Sequence, residues 1–325
     1  GGAARAALAV AGALACWSIL VAAWAVSIAG PVVLVVAAAT ARWRLVGALC
    51  AAVALPHVVP IPRVPGACDA LFYGILRWVG PPGSVRFVDY SGPARSGEPE
   101  PEPPATGEAG RQLLCYHPHG IYSLGCLQIA AERPDVTLLS SPFLYHFAPA
   151  IRCLVNICRG QNFGSVGRKD LMDLMKRGRT PLMLVPGGFH EATIVCPGTE
   201  RVYLKNRKGF VKYALRHGYD LVPCYTIGES DLMANPQGAW GFRFFLNALS
   251  IPAVLPWGFP VLPLLPRRGV EMVTTIGPPV KVPRIRNPTD EDVEEYHRRY
   301  TAALQALYDR AKVGTPSESR KLEIW

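Results

Sequence analysis

The chain has 325 residues, half of them hydrophobic, and a formal net charge of +10. That length is enough for one or two domains with a buried core. The nine cysteines form no Cys-x-x-Cys pair, which favours free thiols in a reducing compartment over a disulfide framework. No zinc-knuckle, helix-turn-helix or aromatic RNA-binding pattern accompanies the basic charge, so we expect no nucleic-acid partner. An anionic membrane surface or a phosphorylated substrate fits the charge better.

The N-terminal region is almost entirely apolar. Residues 6–41 and 45–62 carry no charged side chain, and only Arg42-Trp43-Arg44 separates them. A membrane-spanning helix needs about 20 apolar residues, so the first run is long enough and the second is marginal. We predict a membrane-embedded hydrophobic hairpin over residues 1–65. A full hairpin, a re-entrant hairpin and two crossings that turn at Gly30-Pro31 all fit, and an upstream segment stays open because the sequence does not begin with methionine.

The rest of the chain divides at a stretch of unusual composition. A membrane-proximal segment at residues 66–95 leads into residues 96–110, which are rich in Pro, Glu and Gly and predict a flexible acidic linker. In residues 111–325, strand-like runs alternate with helical patterns. The predicted strands are 112–116, 136–140, 181–185, 221–227 and 270–276, and the predicted helices are 168–177, 208–217 and 289–312. This alternation predicts an α/β domain with a mixed sheet flanked by helices.

The most informative motif is His117-Pro118-His119-Gly120, which follows the predicted strand 112–116. Alternate residues of a strand project to one side, so both imidazole rings can face the same cavity. Pro118 fixes its own φ, and Gly120 lets the backbone approach a substrate. The ordinary pKa of an imidazole suits proton transfer near neutrality. From these residues alone, a catalytic pair, a two-histidine metal site and a packed turn all remain open.

Three further motifs follow strands or open a helix. Gly187-Gly188 frees backbone N–H groups after a strand, and Glu191 adds a carboxylate. Arg207-Lys208 stand at the beginning of a helix that ends at Gly218, where an anion would bind. Gly228-Glu229 repeat the glycine–carboxylate pattern after another strand. A plain turn and a solvated basic turn are the alternatives for these motifs.

One region near the C-terminal third is apolar in an unusual way. Residues 240–249 are rich in aromatic side chains, and residues 251–266 contain five prolines and no charge. The prolines exclude a regular spanning helix. An interfacial segment, the wall of a lipid pocket and ordinary core packing are the three interpretations.

Together these motifs resemble the type-2 diacylglycerol acyltransferase family, which includes monoacylglycerol acyltransferases and wax-ester-forming relatives. The most specific stretch is residues 204–218, followed by Leu221-Val222-Pro223 and Gly228-Glu229. Three blocks match as well: residues 116–120 the histidine block, Gly187-Gly188 with Glu191 the glycine–glutamate block, and residues 165–168 loosely the arginine block. The acidic linker departs from the family as an insertion, and a glycine stands beside the arginine of the arginine block.

The resemblance implies a membrane-bound O-acyltransferase that moves a fatty acyl group from acyl-CoA to diacylglycerol and forms triacylglycerol. Acyl-CoA would be a co-substrate, and no cofactor or metal is expected. Monoacylglycerol and a fatty alcohol are the alternative acceptors. The resemblance also implies the endoplasmic reticulum membrane with the catalytic domain in the cytosol, and the lipid-droplet surface as a second location. A homo-oligomer stays open.

The resemblance and the chemistry together suggest roles for the site residues. His119 would be the general base, Glu191 would orient and stabilise its imidazolium, and His117 would support it. Backbone N–H groups would stabilise the oxyanion at Gly120, Gly187 and Gly188. Basic side chains would hold the phosphates of CoA at Arg207, Lys208 and Arg168.

Two functions of other classes remain as alternatives. One is a metal-dependent lipid hydrolase that binds its metal through His117, His119 and Glu191. The other is a non-enzymatic membrane protein that binds lipid.

Overall fold

The computed structural model describes residues 2–59, 61–64, 66–81, 83–91, 111–160, 162–249 and 251–325. The predicted linker at residues 96–110 lies outside the described residues. The chain forms two compact units, Gly1–Arg77 with Pro134–Asp173, and Trp78–Arg133 with Leu174–Trp325. The units therefore divide the chain differently from the predicted domains.

The helices and strands occur in the following order. The helices are α1 (Gly2–Ala39), α2 (Trp43–Val58), α3 (Ala67–Val79), α4 (Leu124–Glu132), α5 (Pro142–Phe147), α6 (Pro149–Arg159), α7 (Arg168–Arg177), α8 (Gly188–Ile194), α9 (Gly209–His217), α10 (Trp240–Ala248) and α11 (Asp290–Ala311). The strands are β1 (Val85–Asp89), β2 (Gln112–His117), β3 (Thr137–Ser140), β4 (Phe163–Ser165), β5 (Leu182–Leu184), β6 (Glu200–Val202), β7 (Asp220–Ile227), β8 (Met272–Ile276) and β9 (Leu322–Ile324). A 3₁₀ turn covers Glu229–Asp231.

The first unit contains the long apolar helix α1. Its Leu8–Ala39 part has a mean hydropathy of 2.5 and is, by length and composition, able to cross a bilayer. The helix runs without a break through residues 30–31, so the alternative of two crossings that turn there does not agree with the structure. α2 follows after a short turn and is too short to meet the same test.

Residues 134–173 join this first unit because they pack on its N-terminal helices. Ala23 of α1 forms a small buried cluster with Ala148, the residue just before α6, and with Ile151 of α6. The indole N–H of Trp17 donates to the Ile75 carbonyl oxygen over 3.1 Å, which ties α1 to α3. β3 and β4 pair in parallel within the same unit.

The second unit contains a mixed sheet in the order β1-β8-β7-β2-β5. β2 pairs in parallel with both β7 and β5, β1 pairs in parallel with β8, and only the β7–β8 pair of this set is antiparallel. The predicted α/β fold with a mixed sheet and flanking helices is confirmed. Because β2, β5 and β7 are parallel, their carboxyl ends meet at the same edge of the sheet, where α/β proteins commonly bind ligands.

Two of the predicted helices cover β7. α9 ends at Gly218, whose φ of +66° gives the left-handed conformation that the sequence predicts after the last turn. α11 begins at a capping box in which Thr289 and Asp292 bond each other's backbone N–H groups. The rings of Phe210 on α9 and Tyr300 on α11 meet edge to face at 5.1 Å, which joins the two helices over the sheet.

Candidate active site

Three of the motifs meet at the carboxyl edge of the sheet in the second unit. β2 ends at His117, and β5 leads into α8, which carries Glu191. β7 leads through Gly228 to Glu229. Parallel pairing of β2 with its two neighbours therefore brings together residues that are far apart in sequence.

His117 is fully buried and bonded on both sides of its ring. Its Nδ1 lies 3.1 Å from each carboxylate oxygen of Glu191, and its Nε2 lies 3.1 Å from the Tyr300 hydroxyl. That hydroxyl also donates to the Cys115 carbonyl oxygen over 3.2 Å. Both ring nitrogens of His117 are thus engaged inside the protein.

Glu191 is fully buried and accepts hydrogen bonds from two backbone segments. The His119 N–H donates to its Oε1 over 2.7 Å, and the Tyr203 N–H donates to its Oε2 over 3.0 Å. Gly187 lies directly against this side chain, because a Cβ added there would be 2.1 Å from Oε2. The glycine is therefore required by the space that the carboxylate occupies.

His119 differs from His117 because its ring is only half-buried. Its Nδ1 lies 2.8 Å from the Gly120 carbonyl oxygen, which can only accept, so Nδ1 carries the hydrogen. The neutral ring therefore has its lone pair on Nε2, for which no partner exists in the part of the chain that is described. Burial lowers the pKa of His119. The Gly120 carbonyl and the negative charge of Glu191 both raise that pKa, but the effect of burial is larger.

The two rings differ in their burial, and the strand period does not extend to both of them. β2 ends at His117, so the alternation of side chains does not extend to His119. The carboxylate of Glu191 contacts the ring of His117 and the backbone of His119, and acts on the ring of His119 through its charge. The structure thus gives the carboxylate a different contact from the predicted bond to the His119 ring.

Glu229 supports the same turn from the other side. Its buried carboxylate accepts the N–H groups of Leu124 and Gly125 at the beginning of α4, at 3.1 and 2.9 Å, and the Tyr116 hydroxyl at 3.1 Å. Gly120 has a φ of +63°, and a Cβ there would lie 2.3 Å from Oε1 of Glu229. Burial raises the pKa of Glu229 to about 7.

The backbone donors predicted for an oxyanion differ in their availability. The Gly188 N–H donates to the Val185 carbonyl oxygen over 3.2 Å, so it is engaged within the turn. Neither Gly120 nor Gly187 donates its N–H to a partner among the residues that the structure covers. Gly120 is the nearer of these two to His119 along the chain.

Arg207 lies beside His190, one residue before Glu191. The guanidinium donates from Nη2 to Nδ1 of His190 over 2.5 Å and lies 5.3 Å from the ring centre of Tyr203. Burial, and then the positive charge of Arg207, lower the pKa of His190, so that ring is a neutral acceptor. The buried Nε of Arg207 has no hydrogen-bond partner among the described residues.

The other two predicted phosphate ligands are placed differently. Lys208 is ion-paired with Glu294 of α11, and this pair lowers the pKa of Glu294. Arg168 is exposed and begins α7 in the first unit.

Within the described ranges, no three His, Cys, Asp or Glu side chains are arranged to hold a metal ion. The set of His117, His119 and Glu191 is occupied by internal hydrogen bonds instead. This geometry gives no support to the metal-dependent alternative.

Three tyrosines contribute to the site without a sequence signal for it. Tyr300 appears in the sequence only as one of the apolar positions on a helix face, and Tyr203 contributes through its backbone. Tyr116 is inward-facing on β2 and bonds Glu229. Their partners lie about a hundred residues away or more, except for Tyr203 and Glu191, so local patterns could not identify these contacts.

Comparison with known proteins agrees with the motifs. The family model described as diacylglycerol acyltransferase matches residues 108–324. Diacylglycerol O-acyltransferase 2 of Dictyostelium discoideum is 30% identical over 228 residues, which cover 62% of this chain and 66% of the relative. The Bos taurus protein of the same name is 32% identical over 247 residues, 65% of this chain and 64% of the relative.

Related human proteins match in the same way. Human diacylglycerol O-acyltransferase 2 is 32% identical over 247 residues, 65% of this chain and 60% of the relative. The chain thus spans no more than about two thirds of the length of these curated relatives. The family model covers well over half of the chain and includes every predicted site residue. The chain therefore belongs to the diacylglycerol acyltransferase family.

Proposed function

We propose that this protein is a membrane-bound acyltransferase that moves a fatty acyl group from acyl-CoA to the free hydroxyl of diacylglycerol. The observation that carries the proposal is the state of His119. Its Nδ1–H is fixed on the Gly120 carbonyl, its Nε2 has no internal partner among described residues, and it lies at the carboxyl edge of parallel strands. A general base needs this combination of a defined tautomer and an accessible lone pair.

The proposed reaction proceeds by direct attack. Nε2 of His119 takes the proton from the acceptor hydroxyl as its oxygen attacks the thioester carbonyl carbon. The tetrahedral intermediate then collapses, the carbon–sulfur bond breaks, and the imidazolium returns the proton to the sulfur of CoA. The products are the new ester and free CoA, so no covalent acyl-enzyme is needed.

Glu191 and His117 would stabilise this reaction without touching the substrate. The negative charge of Glu191 raises the pKa of His119 and so favours the transient imidazolium. His117 holds that carboxylate in place by bonding both of its oxygens. The Gly120 N–H is the best-placed donor for the oxyanion, and Gly187 makes room for the carboxylate.

The phosphates of CoA would bind at the beginning of α9. Arg207 offers a planar guanidinium whose buried Nε has no partner among the described residues, and Lys208 adds charge when its exposed pair with Glu294 exchanges for phosphate. For the membrane anchor, Leu8–Ala39 has the length and composition of a spanning helix. An endoplasmic reticulum location with a cytosolic second unit, and the lipid-droplet surface, extend this proposal.

The test is acyl transfer by microsomes that contain the full chain. Labelled oleoyl-CoA is offered with diacylglycerol, monoacylglycerol or hexadecanol, and the lipid products are separated. Diacylglycerol should give the fastest transfer, and His119→Ala should lower it by about 10²–10⁴-fold. His217→Ala, a half-buried histidine at the far end of α9, is the matched control and should keep parental activity. Near-normal transfer by His119→Ala would remove His119 as the base, and faster transfer to another acceptor would reassign the substrate.

A further inference from the structure

The second unit carries an exposed apolar surface that the proposed reaction does not explain. It is formed by residues 242–249 and 251–264, which we call the apolar platform. Val261 is 80% exposed and Leu255 is 73% exposed. Phe242, Phe245 and Trp257 are also more than half exposed. A run of exposed large apolar side chains this long marks an interaction surface.

Hydrogen bonds from a half-buried arginine and two buried asparagines fix the base of the platform. Arg243 donates to the carbonyl oxygens of Thr193 and Ala253 and to the side chain of Asn235. Asn247 accepts the Ala253 N–H over 3.0 Å, which fixes the proline-rich part against α10. The exposed apolar side chains therefore stand on an ordered base, and their exposure is a built feature of the fold.

The charge pattern indicates what covers this surface. No Asp or Glu occurs between Asp231 and Glu271, whereas Arg267 and Arg268 lie three and four residues after the end of the platform. Aromatic and aliphatic side chains bounded by arginines match the boundary between acyl chains and anionic headgroups. A protein partner would instead be expected to meet a platform with a mixed polar rim.

We propose that the apolar platform inserts into one leaflet of a lipid membrane and binds the second unit to it directly. The proposal does not depend on the acyltransferase reaction or on the position of α1. The platform would lie in the plane of the membrane, because its prolines prevent a spanning helix. Its side chains would enter by about 5–10 Å, as interfacial segments do.

The platform is also bonded to both halves of the candidate site. Tyr122 stands three residues after His119, and its hydroxyl donates to the Leu264 carbonyl oxygen over 2.7 Å. Asn247 donates to the carbonyl oxygen of Phe189, two residues before Glu191. If the proposed function holds, this arrangement lets a lipid acceptor reach His119 without leaving the leaflet.

The experiment measures contact between Trp257 and lipid in the full chain. The chain is reconstituted into vesicles of phosphatidylcholine and phosphatidylserine, and the emission of Trp257 is obtained as the difference between the parent and Trp257→Phe. Phosphatidylcholine brominated on its acyl chains should lower this emission about twofold, and shallow bromines should act more strongly than deep ones. Val261→Asp should weaken the quenching. Val313→Asp, which changes another exposed valine of the same unit, should leave it unchanged.

Two results would overturn the proposal. In the first, Trp257 resists brominated lipid and is quenched by aqueous acrylamide, so the platform faces water. In the second, Trp257 resists both quenchers and the protein chemically crosslinks to itself in a way that Val261→Asp abolishes, so a second copy covers the platform. Neither result requires acyl-CoA, so failure here is distinct from failure of the proposed reaction. Loss of acyl transfer with normal quenching would instead count against the proposed function alone.

Discussion

Replacement of Glu191 by glutamine tests the central hydrogen-bond arrangement of the site. The side chain keeps its size and loses its charge and one of its two acceptor oxygens. In the parent, Oε1 accepts from the His119 N–H and Oε2 accepts from the Tyr203 N–H. Whichever way the amide is turned, its NH₂ group must face one of these two backbone donors. The substitution therefore leaves a buried backbone N–H without an acceptor.

The expected cost follows from that unpaired donor. A buried donor without a partner costs about 1–3 kcal/mol, and a hydrogen bond to a charged group contributes about 1.5–3 kcal/mol. The two ranges partly count the same lost hydrogen bond, so they are not added. We therefore expect Glu191→Gln to lower the free energy of unfolding by about 2 kcal/mol. For a domain of this size, that corresponds to a fall in Tm of roughly 4–8 °C. Loss of the charge also removes one stabilising influence on the imidazolium form of His119.

The assay is thermal unfolding in detergent, followed by acyl transfer at a temperature where both proteins are folded. Glu294→Gln is the matched control, because its carboxylate is exposed and paired only with Lys208 at the surface. The control should unfold with the parent. The expected fall in Tm is about 4–8 °C. The reasoning is refuted if the Tm of Glu191→Gln lies within about 1 °C of the parent's, or if Glu294→Gln lowers the Tm by as much as Glu191→Gln does.

Three further predictions concern neighbouring groups. Because burial lowers the pKa of His119 below 6.5, its neutral base form persists into mildly acid solution, and the acid limb of kcat/KM, which reports the free enzyme, should have an apparent pKa below 6.5; a limb at 7 or above would assign the base elsewhere. Burial raises the pKa of Glu229 from 4.5 to about 7, so its folded form binds the proton more tightly and its contribution to stability falls as pH rises through that interval. The Tm of the parent minus that of Glu229→Gln should therefore decrease from pH 4.5 to 7, and a constant difference would contradict this. Gly187→Ala places a Cβ 2.1 Å from Oε2 of Glu191 and should cost about 1–3 kcal/mol, whereas Gly209→Ala, with no atom within 4 Å, should be neutral or stabilising.

Much of the second unit follows from local sequence patterns. The strands at residues 112–116 and 221–227 are predicted because short apolar runs end in glycine or proline, and the structure has them with ends shifted by one residue. The end of α9 at Gly218 and the beginning of α11 at Thr289 follow from cap residues whose geometry is local. Parallel pairing of these strands then explains why three motifs meet at one edge.

Local patterns could not predict which segments of the chain form the first unit. Residues 134–173 read locally as strand, loop and helix of a single domain, yet they pack with α1. The contact between Ala23 and Ile151 joins residues far apart in the chain, and small apolar side chains carry no pattern that names their partner. Likewise, the exposure of Leu255 and Val261 could not be read from their apolar character, since the same residues would suit a core.

The different roles of His117 and His119 depend on contacts that the motif itself does not contain. The motif offers two equal imidazoles, and the distinction arises from Tyr300, which stands 183 residues after His117 and occupies its second ring nitrogen. With Glu191 on the other nitrogen, His117 has no site left for a substrate proton. The ring of His119 contacts the Gly120 carbonyl oxygen and the Ser123 hydroxyl, both through Nδ1, so its Nε2 can accept one. Hence Tyr300→Phe should free Nε2 of His117 without supplying a new base in reach of solvent, because that ring remains fully buried. Acyl transfer by Tyr300→Phe with His119→Ala should therefore be as low as by His119→Ala alone, and recovery of activity in the double variant would show that His117 can act as the base.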